Sequence, residues 1–78
     1  MPYTTKEEKA QALQDLLRYV QGGGDISIQN YLRCHAWLNG TSFYSLGLEA
    51  GISAQAVEQS VKRELKKVQK FVLINYKR

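Results

Sequence analysis

The sequence predicts an all-α domain, a small helical bundle of about four helices in which the last is long. Three observations carry this. Apolar residues recur at helical spacing in four separate segments, each segment is preceded by a residue able to cap a helix, and glycine or Asn-Gly follows the first three. At 78 residues the chain is a single domain. A domain of this size buries only ~60% of its unfolded surface, so its helices must share one core or draw on a partner subunit.

The first helix is expected over residues 6–20. Thr5-Lys6-Glu7-Glu8 is a capping-box sequence, in which Glu8 reaches back to the cap. Leu13, Leu16, Leu17 and Val20 follow at i, i+3, i+4 and i+7, which gives the helix one apolar side. Tyr19 falls near its end as a rim residue, and Met1 to Tyr3 reads as a loose end. Gly22, Gly23 and Gly24 stop the helix. No strand precedes this triplet and no Lys-Ser/Thr pair closes it, so it lacks the context of a phosphate-binding loop and reads as a flexible hinge.

The second helix is expected over residues 28–38, capped by Asp25 or Ser27. Ile28, Tyr31, Leu32, His35 and Leu38 share one side of it, flanked by Trp37 and Cys34, and Asn39-Gly40 ends it. Cys34 reads as a small core residue. The third helix is expected over residues 42–50 behind Ser42 or Thr41, with Phe43, Leu46, Gly47 and Ala50 on its apolar side. Gly51 breaks it where a left-handed residue is wanted, and Ser53 caps a fourth helix that opens at Ala54 and runs to about residue 70.

The third and fourth helices have the spacing of a helix-turn-helix over residues 42–60. Gly47 lets the second helix approach, Gly51 supplies the turn, and Val57 holds the second helix to the core. Trp37, Leu32, Phe43, Leu46, Val57 and Val61 are the expected core. At 100° per residue, Val57, Val61, Leu65, Val68 and Val72 cluster on one side of the fourth helix. Gln55, Gln59, Lys62, Arg63, Lys66 and Lys70 cluster opposite. Glutamine at the groove end of such a helix can pair with adenine, and the basic residues can reach phosphates. Past Lys70 comes a continuous apolar run, Phe71, Val72, Leu73 and Ile74. Its β-branched residues permit a strand as well as a helix, and it is an expected oligomer contact unless it folds back onto the first helix.

The net charge is +4, unevenly spread. Residues 57–78 hold seven basic groups and two acids, whereas residues 1–56 hold four and five. The basic part contains the fourth helix, which points to a polyanionic partner. Cys34 and His35 are each the only residue of their type, and no carboxylate pair, nucleophile–base pair or metal cluster is legible. The expectation is therefore a protein that is not an enzyme, with no metal, cofactor or small-molecule ligand. The absence of a long apolar run and of a signal-peptide pattern argues against a membrane partner and for the cytoplasm.

Residues Gly51 to Ser60, GISAQAVEQS, resemble the turn and recognition helix of phage-repressor helix-turn-helix domains. Leu38-Asn39-Gly40, Gly51-Ile52-Ser53, Ala56-Val57 and Val61-Lys62-Arg63 are similar to region 4 of bacterial sigma factors. The order of motifs is also similar to plasmid repressors of the KorA (TrfB) group, which are dimeric. The resemblance covers residues 27–68. It departs from the pattern at Gly47, where alanine is usual, at Ser60, which takes a late apolar position, and at Ala54, where phage repressors often present glutamine. It implies a dimeric, sequence-specific transcriptional regulator, a repressor, of phage, plasmid or bacterial type, bound to double-stranded DNA. Base contacts then fall to Gln55, Gln59 and Ala54, and phosphate contacts to Ser42, Tyr44, Ser53, Lys62, Arg63 and Lys66. The alternative is an interaction module that docks its basic helix on an acidic partner such as RNA polymerase.

Overall fold

Four hydroxyl side chains open four helices. In the computed structural model, which describes residues 3–76, the Thr5 hydroxyl accepts the Glu8 N–H and the Glu8 carboxylate accepts the Thr5 N–H, both at 3.1 Å. This capping box starts α1 (Lys6–Gln21). The Thr5 N–H and hydroxyl hold the Glu8 carboxyl below its ordinary range. Ser27, Ser42 and Ser53 each accept the backbone N–H three residues on at 3.1 Å, and start α2 (Ile28–Leu38), α3 (Phe43–Ala50) and α4 (Ala54–Asn75). No helix among the described residues is long and apolar enough to cross a membrane. Met1 and Pro2 of the expected loose end, and Lys77 and Arg78 of the basic count, lie outside the described residues.

The bundle is built on α4, which packs against each of the other three helices. Val57, Val61, Leu65, Val68 and Val72 form its buried stripe, as their spacing predicts. Ala12, Leu16 and Tyr19 of α1, Cys34 and Leu38 of α2, and Leu46 of α3 close around that stripe. Burying one such Leu or Val contributes ~1.5–3 kcal/mol, so α4 carries much of the apolar stabilisation. Tyr3 is also buried, and its hydroxyl donates to Asp15 at 3.5 Å. Gln11 donates to the other Asp15 oxygen at 3.2 Å, which offsets the cost of enclosing that carboxylate in the core.

Three sequence expectations are corrected. Leu32, expected in the core, is 58% exposed, and Ile28 and His35 on the same side of α2 are exposed with it. The buried side of α2 is instead Cys34 and Leu38, with Tyr31, Ala36 and Trp37 partly covered. On α1, Leu17 and Val20 are exposed, while Ala12 and Tyr19 take the buried positions beside Leu16. Both helices carry apolar residues on more than one side, and the side buried against α4 includes the small residues Ala12 and Cys34. Trp37 and Phe43 are half-buried and stack on each other at 5.2 Å between ring centres.

The third correction concerns the glycine triplet and the tail. Gly22, Gly23 and Gly24 donate in turn to the carbonyls of Arg18, Val20 and Tyr19, so they wind off the end of α1 as an ordered turn. A Cβ at Gly24 would stand 2.5 Å from the Tyr19 ring, and one at Gly22 would stand 2.7 Å from Phe71. Gly22 and Gly24 thus pack against Phe71 and Tyr19, while Gly23 takes a left-handed conformation (φ 84°) with open space around it. The 71–74 run is helical and continues α4. Val72 belongs to the core, and Phe71 meets Tyr19 edge-on at 5.5 Å between ring centres. That leaves Leu73 and Ile74 exposed.

Candidate nucleic-acid interface

The junction of α3 and α4 sets the geometry of the basic face. Gly51 takes a left-handed conformation (φ 73°), and its N–H and that of Ile52 both donate to the Gly47 carbonyl. Gly47 is buried against this turn. A Cβ there would lie 2.6 Å from the Ile52 carbonyl oxygen and 3.2 Å from the Ala54 nitrogen. Only glycine admits the turn backbone so close to α3, and this contact fixes where α4 begins. Val57 and Leu46 then bury the inner side of the pair.

The opposite side of α4 faces solvent. Gln55, Gln59, Lys62, Arg63, Lys66 and Lys70 are all exposed. Their spacing forms two neighbouring lines, Gln55-Glu58-Lys62 and Gln59-Arg63-Lys66-Lys70. From Gln55 to Lys70 the face extends about 22 Å along the helix axis. No acid lies in the first turn of α4, so nothing there offsets the positive end of the helix dipole. The order along the helix is amide side chains first and cations after.

The cations on this face are not equivalent. Lys62 Nζ lies 2.6 Å from the Glu58 carboxylate. Lys67 Nζ lies 3.1 Å and Arg63 Nε 4.0 Å from the same oxygen of Glu64, which is itself buried. Hydrogen bonding to Glu64 and its charge raise the Lys67 ammonium above its ordinary range. Lys66 and Lys70 make no ion pair among the described residues. Lys70 was not among the residues the sequence assigned to phosphate, although its helical position placed it on this face.

The remaining candidates are spread around the turn. Ala54 is half-buried and in register with Val61 and Leu65, apart from the two glutamines. Ser53 and Ser42 are exposed, but each hydroxyl already accepts a capping N–H. Ser42 also donates its proton to Ser45 Oγ at 3.1 Å, which leaves the Ser45 hydroxyl as the outward donor of that pair. The sequence offered no sign of this hand-over. Tyr44 is 67% exposed. No protein-family model, curated protein or solved structure matches the chain, so the helix-turn-helix resemblance rests on the quoted residues alone.

Proposed function

We propose that this chain is a DNA-binding transcriptional regulator that presents the exposed side of α4 to the major groove. One observation supports this most directly. The helix held by the Gly47 contact carries Gln55 and Gln59 first and Arg63, Lys66 and Lys70 after, all on the side opposite its buried valines. Amide side chains at the leading end suit base edges, and cations further along suit the phosphate backbone. Tyr44 and the Ser42–Ser45 pair, at the start of α3, are the proposed flanking backbone contacts. The regulator is a repressor acting as a dimer in the cytoplasm, since one such helix reads only a few base pairs and useful specificity takes two half-sites. Leu73 and Ile74 are the proposed dimer contact.

Titration of random and selected duplexes at several salt concentrations tests the proposal. Binding whose logarithm falls steeply with the logarithm of salt is expected, by about 0.9 per phosphate contact. A selection from random duplexes is expected to return a pseudo-palindromic site. Absence of duplex binding at low salt would leave docking on an acidic protein such as RNA polymerase as the function of the same face.

A further inference from the structure

We infer that Glu58 is a specificity-determining residue of the proposed interface, acting by holding Lys62 away from phosphate on DNA that lacks the preferred sequence. The inference rests on the DNA-binding proposal. Helix α4 has only two acids, and they sit in different surroundings. Glu64 is 3% exposed and belongs to the core. The Glu58 side chain is 39% exposed, and it meets Lys62, 50% exposed, at 2.6 Å.

Its position gives this pair consequences that an ordinary surface pair lacks. Glu58 lies three residues after Gln55 and four before Lys62, on one edge of the face that carries the glutamines. A carboxylate there meets the phosphate wall of any duplex that α4 enters, and like charges at that distance repel. Lys62 meets the same wall but already has a counter-charge. On random DNA, phosphate must compete with Glu58 for Lys62, so the contact adds little. On a preferred site the glutamines hold α4 in the groove, and Lys62 can exchange Glu58 for phosphate. Lys66 and Lys70 have no such partner and supply the contacts common to all sequences.

The test compares wild type with Glu58→Gln and with Glu58→Gln/Lys62→Ala on a preferred and a scrambled duplex, across a salt series. Glu58→Gln keeps the shape of the side chain and removes its charge, and circular dichroism should find the helix content unchanged. The scrambled duplex is expected to bind about three- to tenfold tighter, with its logarithmic salt slope steeper by about 0.9, while the preferred site changes less. The added Lys62→Ala is expected to reverse that steepening. If neither duplex responds to Glu58→Gln, the pair is helix support only and the inference is overturned. If Glu58→Gln weakens the preferred site alone, Glu58 accepts from a base, and the inference is again overturned while the DNA-binding proposal stands. If wild type binds no duplex, both fail, and the wild-type arm alone reveals it.

Discussion

Gln55 and Gln59 are the proposed base-reading residues: both are exposed on the leading end of α4, and among the described residues neither side chain makes a hydrogen bond. Replacing either with Ala is expected to weaken a preferred site by ~1–3 kcal/mol and to spare a scrambled duplex. Equal losses on both would remove base reading from these residues. Lys66→Ala and Lys70→Ala should weaken all sequences alike and flatten the salt slope by about 0.9 each. In the core, burial and then the Glu64 charge push the Cys34 thiol up to about 12. Native protein should therefore resist thiol reagents at pH 8, and unfolded protein should react. Because the folded thiol is the weaker acid, its contribution to stability is full below the ordinary value of 9.0 and is lost as pH rises towards about 12. Denaturation across that window should show a shallower alkaline decline for Cys34→Ala than for wild type.

At the scale of single elements, caps and close approaches decide the outcome. Thr5→Ala should cost about 1 kcal/mol by chemical denaturation, since it removes one half of the capping box. The lowered Glu8 carboxyl adds a pH signature: its contribution is complete above the ordinary value of 4.5 and is lost as pH falls below it. Gly47→Ala should cost more than Thr5→Ala, because the obstruction is the Ile52 carbonyl of the backbone rather than a movable side chain. The four helices were legible in the sequence because cap and periodicity agreed for each one, and a stop for the first three. The choice of buried face was not legible for α1 and α2. Leu17 and Val20 on α1, and Ile28 and Leu32 on α2, give each helix a second apolar side, and local periodicity does not say which side meets α4. The end of α4 was ambiguous because Phe71 finds its cover in Tyr19 and Gly22, a contact across about fifty residues that local pattern does not encode. The glutamines and cations of the candidate interface were readable from helical spacing. The pairing of Lys62 with Glu58 and the Ser42–Ser45 relay depend on side-chain placement.

For the whole molecule, the remaining exposed apolar surface at the end of α4 bears on assembly. Sedimentation at micromolar concentration is expected to find a dimer, and Leu73→Glu or Ile74→Glu to yield a folded monomer that binds the preferred site more weakly. Val72→Ala should instead destabilise the fold by about 2 kcal/mol, because Val72 is 3% exposed and faces the core. A monomeric wild type, unchanged by a duplex, would remove Leu73 and Ile74 from the interface. Trp37 gives a way to watch the bundle as one body. It is the only tryptophan in the chain, its ring lies nearly parallel to that of Phe43, and the Lys9 ammonium sits 4.5 Å from its centre. One chromophore thus touches α1 and α3 while belonging to α2. Its ultraviolet emission should shift to longer wavelength when any of those three helices detaches, and in a two-state protein that shift shares its midpoint with the loss of helical dichroism. A fluorescence titration needs no added label, and an earlier emission midpoint would mark the α1–α2–α3 joint as the first part of the molecule to open.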